Sequence, residues 1–147
     1  MKFLFALTCL VTSLSSYAQN NTVTWTIESK KTNSKEYSLI FNATIKDGWY
    51  VYSQFLESDE GPVPTEITLE ENKNLALVGK AIEEGQKIEG FDKLFEMNIT
   101  KFKKSLKINQ KIKTSEPTTV KGYITFMTCN DEMCLPPTDV RFELHLK

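Results

Sequence analysis

Tyr37, Leu39, Phe41, Ala43 and Ile45 occupy every second position of one stretch, the clearest periodicity in the chain. A repeat of two sends alternate side chains to opposite faces of a strand, whereas a helical stripe needs a repeat near 3.6. The same alternation recurs in Val23-Trp25-Ile27, Ile67-Leu69, Leu75-Leu77, Phe95-Met97-Ile99, Leu106-Ile108, Val120-Ile124-Phe126 and Val140-Phe142-Leu144-Leu146. Turn-forming clusters punctuate these runs: Asp47-Gly48, Gly61-Pro62-Val63-Pro64, Asn72 to Asn74, Glu89-Gly90, Glu116-Pro117 and Pro136-Pro137. No stretch carries a helical stripe. The lysine-rich run Lys101 to Lys113, interleaved with Phe102, Leu106, Ile108 and Ile112, is expected to form two strands with one wet face. The expectation is all-β: an immunoglobulin-like two-sheet sandwich.

The N-terminus carries the marks of export. Met1-Lys2 is a short positive segment, Phe3 to Leu14 is mostly apolar and too short to span a bilayer, and Ser16-Tyr17-Ala18 ends in small residues. Residues 1–18 are therefore expected to be a cleaved signal peptide, leaving 19–147 as one domain. A lipoprotein reading around Cys9 is disfavoured because the apolar run continues past that cysteine. Later segments contain no apolar run of spanning length. The net charge is −1, or −2 once Lys2 is removed, with Lys and Glu interspersed. That pattern gives no electrostatic footprint for nucleic acid.

Export places Cys129 and Cys134 where disulfides persist. They are the only cysteines outside the leader, and four residues separate them. A bridge over so short a loop restricts the unfolded chain little, roughly 2 kcal/mol. A staple would be more useful between distant strands. Small-loop bridges exchange more easily when strained or exposed. From spacing alone a structural bridge and a redox pair both stay open. Asn130, Asp131 and Glu132 lie between the thiols, with no Lys, Arg or His inside the motif, so neither thiolate is locally favoured. Such a dithiol suits donation of electrons to a more oxidising partner that supplies the activated thiolate. Metal binding fails on ligand count, since two thiols and the single His145 do not complete a four-ligand site. His145 falls on the polar side of the last strand, and nothing sets it against a nucleophile. No metal or cofactor is expected.

Three segments together resemble the periplasmic N-terminal domain of the thiol:disulfide interchange protein DsbD, the disulfide bond corrector family. They are Lys46-Asp47-Gly48-Trp49-Tyr50-Val51-Tyr52-Ser53, Gly61-Pro62-Val63-Pro64-Thr65, and Cys129 to Pro137 with a closing strand behind it. The resemblance implies an immunoglobulin-like fold and an electron shuttle. In the family a transmembrane module reduces a thioredoxin-like domain, which reduces this one, which reduces thioredoxin-fold proteins for disulfide correction or cytochrome c maturation. By resemblance Cys134 is the exchanging sulfur and Cys129 the resolving one. Tyr50 and Tyr52 match tyrosines beside the pair. Phe91, in Glu89-Gly90-Phe91-Asp92, is the candidate for the aromatic of a covering loop, with Phe95 as second choice.

Two departures stand out. The family's best-known members place five residues between the cysteines, and this chain has four. The sequence also carries neither the transmembrane module nor the thioredoxin-like domain. Electrons are thus expected from separate proteins, a transmembrane one among them. The competing reading is a non-redox β-sandwich that binds a partner and keeps a structural disulfide. Strand alternation sets Tyr50 and Tyr52 on one face and Trp49 and Val51 on the other, so only one of these sets is expected in the core of a two-layer fold.

Overall fold

The computed structural model describes residues 22–58 and 60–147; the expected leader lies outside them. The described residues form strands and no helix: β1 (Val23–Lys31), β2 (Glu36–Ile45), β3 (Tyr50–Tyr52), β4 (Glu66–Leu69), β5 (Leu75–Asp92), β6 (Met97–Thr114), β7 (Thr118–Phe126), β8 (Thr128–Cys129) and β9 (Thr138–Leu146). One sheet runs β1-β2-β6-β3-β8 with β5 also paired to β6, and the other runs β4-β7-β9. All pairings are antiparallel.

The core lies where the alternation puts it. Tyr37, Leu39, Phe41, Ala43 and Ile45 of β2 are all buried, with Phe102, Leu106, Ile108 and Ile112 of β6 beside them. Val120, Ile124 and Phe126 of β7 and Leu146 of β9 meet them from the second sheet. Phe41 and Phe142 join the two layers edge to face at 5.2 Å, an arrangement aromatic pairs prefer.

Two expectations need correction. The lysine-rich segment is one strand: β6 runs unbroken through Lys101 to Lys113. Glu89-Gly90 is no turn either, because β5 continues to Asp92 and the chain reverses at 93–96. Register irregularities between Val78 and Ile82 and between Gly85 and Gln86 take up Gly79, Gly85 and part of the lysine run without ending the ladder. Gly90 sits in no irregularity: it pairs in regular register with Ile99, with a φ of 152° inside the strand. A glycine inside a strand and a glycine in a turn look alike in sequence.

Gly122 marks the closest approach in the smaller sheet. A methyl on it would lie 2.2 Å from the Thr68 carbonyl oxygen and 2.9 Å from Phe142 Cζ. Both neighbours sit in paired strands and cannot withdraw. Gly122→Ala should therefore destabilise the fold by about 1–3 kcal/mol, measured as a lower urea midpoint at unchanged slope.

Candidate functional site

The two cysteines face each other across a miniature hairpin. Asn130 N–H donates to Met133 O at 2.9 Å, and Leu135 N–H donates to Thr128 O at 2.9 Å. Cys129 and Cys134 fill the non-hydrogen-bonded position between these bonds, with Cα atoms 4.0 Å apart and a disulfide joining them. The Asn130 side chain shapes the turn. Its Oδ1 accepts the Glu132 and Met133 N–H groups at 2.9 and 2.8 Å. A loop of four residues is thus long enough for the bond, because the turn makes the two residues direct cross-strand partners.

Strand register decides which way Cys129 points. Tyr50 lies opposite Cys129, and Val51 lies opposite Thr128. Val51 is fully buried in the main core, so Cys129 occupies the other face of the larger sheet. There a second cluster of Tyr52, Ile99, Met127 and Cys129 is buried, with Leu56, Val63, Phe95, Met97 and Cys134 packed against it. The expectation that only one of the two aromatic sets can be core therefore fails. Trp49 and Val51 pack into the main core, while Tyr52, 1% exposed, fills the second. A sandwich has only two sheets, but loops cover the outer face at this end and supply a third layer.

That cover is tied down at its ends. Thr65 Oγ1 donates to Tyr52 O at 2.6 Å, and Glu83 accepts the Ser53 hydroxyl at 2.6 Å and the Gln54 N–H at 2.8 Å. Gly61 leaves room for Met97, since a methyl there would lie 2.8 Å from its sulfur. Cys129 ends up 1% exposed, whereas Cys134 is only partly buried.

The candidate aromatics divide between two positions. Phe91 lies in β5 opposite Asn98 and is 67% exposed. It lines a groove of about 430 Å³ together with Asp92, Leu94, Lys101, Asn130 and Asp131. Phe95 sits at the hairpin tip between β5 and β6, its ring edge-on to Tyr52 at 5.8 Å. The aromatic packed on the cysteine cluster is thus Phe95, and Phe91 stands at the groove's rim.

Two residues of this groove carry charge that sequence reading did not single out. Lys101 Nζ lies 2.7 Å from Asp92 Oδ2 and 4.1 Å from the centre of the Tyr50 ring. Asp92 Oδ1 also accepts the Leu94 N–H at 2.9 Å. Burial alone would push the Asp92 carboxyl up. The Lys101 hydrogen bond and charge, with the Leu94 and Phe95 amides, outweigh it and hold the group below the usual carboxylate range. Burial pushes the Tyr52 phenol well up, and the nearby Asp92 and Tyr50 add to this, so Tyr52 stays neutral. His145 lies on the surface as expected, 3.0 Å from Thr119 Oγ1.

A carboxyl with a depressed folded-state pKa contributes stability that is complete above its unfolded value, about 3.9, and is lost as pH falls through the folded value. Asp92→Asn should accordingly cost about 2 kcal/mol at pH 7. The gap to the wild-type chain should close below about pH 4, as urea midpoints across pH will show.

Compared with the curated protein sequences, the chain finds no match. Among solved structures it is similar to the N-terminal domain of DsbD from Neisseria meningitidis in its reduced form: 16% identity, 82% of this chain, 90% of that one, TM-score 0.53. It is also similar to the N-terminal periplasmic domain of ScsB from Proteus mirabilis: 20% identity, 83% of this chain, TM-score 0.58. The match spans 44% of the ScsB chain. Both likenesses are of fold, and the shared fold is immunoglobulin-like. The family model described as "Thiol:disulfide interchange protein DsbD, N-terminal" matches residues 18–146. With nearly its whole length matched, the chain belongs to the DsbD N-terminal domain family of thiol:disulfide interchange proteins.

Proposed function

We propose that the protein is a periplasmic thiol–disulfide carrier, exported by a signal peptide cleaved after Ala18, that works through Cys129 and Cys134. The observation that carries this reading is the unequal exposure of two directly opposed cysteines. Cys129 is buried against Tyr52 and Met127, and Cys134, partly buried, is the more exposed of the two. A structural staple needs no such asymmetry. An exchange reaction does, because one sulfur must meet the partner and the other must resolve the mixed disulfide.

In the reduced chain the Cys134 sulfur attacks the disulfide of an oxidised thioredoxin-fold acceptor and releases one acceptor thiolate. Cys129 then attacks Cys134 within the mixed disulfide, which restores the internal bond and releases the second acceptor thiolate. Two electrons pass to the acceptor, and the two cysteine protons end on its thiols. The reverse sequence reloads this chain from a thioredoxin-fold donor, itself served by a separate transmembrane protein. The family's chemistry of thiol–disulfide interchange supports both directions. Asp131 and Glu132 in the loop oppose thiolate formation, so the reduced pair attacks slowly unless a docked acceptor presents its disulfide to it, and in the reloading direction the attacking thiolate is the donor's.

The reduction potential of the pair separates a carrier from a staple. A carrier should lie at about −180 to −270 mV, and a structural bridge below about −300 mV. Cys129→Ser should trap a mixed disulfide with an oxidised thioredoxin-fold protein, and Cys134→Ser should form none. An adduct formed through Cys129 would reverse the roles.

Tyr50 and Tyr52 are the neighbours that floor the site, and the hairpin tip is its cover. Phe95 shields the sulfurs from small oxidants, and Phe91 touches a docked partner at the rim. Phe95→Ala should speed oxidation of the reduced pair by a small disulfide about tenfold, or about 1.4 kcal/mol of barrier. Phe91→Ala should leave that rate unchanged and slow exchange with a protein partner. Stopped-flow traces of both variants decide between the two aromatics.

A further inference from the structure

We infer that Asp92 and Lys101 are positioning residues that hold the cover closed over the cysteine pair in the resting protein; this rests on the carrier reading for its biological sense. The hairpin tip does not take its shape from backbone preference alone. Glu96 has φ 54°, a left-handed conformation unfavourable for a residue with a side chain. The Asp92 carboxylate organises the reversal from within by accepting the Leu94 N–H, and Lys101 holds that carboxylate from β6. The tip so shaped carries Phe95 onto Tyr52.

Lys101 also ties the tip to the cysteines. Its ammonium lies over the ring of Tyr50, and Tyr50 is the cross-strand partner of Cys129. The same side chain floors the groove bounded by Phe91 and Leu94 on one side and Asn130 and Asp131 on the other. One cation therefore meets the cover, the strand beneath the disulfide and the groove beside the disulfide loop. Both members of the pair are largely withdrawn from water, with side chains 7% and 17% exposed. Withdrawing charges from water costs enough that such a pair adds little stability over apolar residues of similar size. It does impose one geometry, because losing either partner strands the other's charge. A protein partner entering the groove reaches this pair directly and frees the tip. A small oxidant cannot do so.

The test uses the full mature chain, reduced, with oxidised glutathione as the probe. Lys101→Met and Asp92→Ala should each raise the oxidation rate roughly tenfold, through a larger population of the open tip. Lys101→Arg should restore a near wild-type rate. Hydrogen exchange at the Leu94 and Phe95 amides should rise in parallel in the two disruptive variants. The deciding measurement is coupling: in a Phe95→Ala background, Lys101→Met should add little further acceleration, because the pair acts through the cover. Equal acceleration in both backgrounds, or unchanged rates beside a lowered melting temperature, overturns the inference. Should Asp92→Ala fail to fold, Asp92→Asn keeps the acceptor for Leu94 and should give a smaller acceleration; an unchanged rate there also counts against the inference. None of these readouts needs a protein partner. A wild-type chain that fails to exchange with a thioredoxin-fold dithiol would sink the carrier reading and leave this one standing.

Discussion

Val51 and Tyr52 are adjacent in β3, and both are buried, on opposite faces of the same sheet. A strand can bury neighbouring residues only if something covers each side. On one side the smaller sheet does this. On the other the loop after β3 and the tip of the β5–β6 hairpin do it, at this end of the sheet. The cysteine site follows from that double cover. Cys129 pairs with Tyr50, points away from the main core, and is sealed by the same side chains that bury Tyr52. Were the outer face bare, the disulfide would lie open on a flat sheet, with nothing to distinguish one sulfur from the other.

Several strands, the main core and the small cysteine loop were legible in the sequence because each rests on a local pattern. Period-two alternation identified β2, β7 and β9, and the inward residues of each are those the pattern selects. The spacing of Cys129 and Cys134 pointed to a small closed loop. The second core was not legible. Its members come from β3, the loop after it, the hairpin tip and the segment around β8, and no local pattern joins them. Long β5 and β6 were hidden for a different reason, since glycines inside a strand read as turns. That error displaced the covering loop: with a turn expected at Glu89-Gly90, Phe91 looked like its aromatic, whereas the reversal comes later and brings Phe95 to the cluster. Asp92 and Lys101 stood only at the ends of two quoted segments, Glu89 to Asp92 and Lys101 to Lys113, with no role given to either. Only the register of β5 on β6 brings them together, although Lys101 shares its parity with Met97 and Ile99 and so lies on their face.

The electrostatics around the disulfide are arranged for quiet chemistry. Two carboxylates sit in the loop, a third is neutralised by Lys101, and the phenol of Tyr52 is held neutral by burial. No cation faces the cysteines from within their own loop. On the proposed function the chain contributes a protected pair whose two cysteines differ in burial, and activation comes with the docked partner. This division suits a member of an interchange family in an oxidising compartment, where a self-activated thiolate would react with the first oxidant it met.

The two irregularities between β5 and β6 share a property with a wider meaning. From Val78 to Ile82 the chain takes four steps while its partner takes two, Lys111 to Asn109. From Gly85 to Gln86 it takes one step against three, Leu106 to Lys103. Each therefore adds an even number of residues, and an even number leaves every side chain on its own face. The hairpin behaves like a text read in pairs of letters. A lineage could lengthen or shorten either arm by two and keep both the apolar interior and the cysteine cover. Gaining or losing one residue ahead of Leu106 would turn Ile99 and Phe102 inside out together. Length changes in even increments therefore preserve both faces directly, whereas an odd one must be taken up in a one-residue bulge.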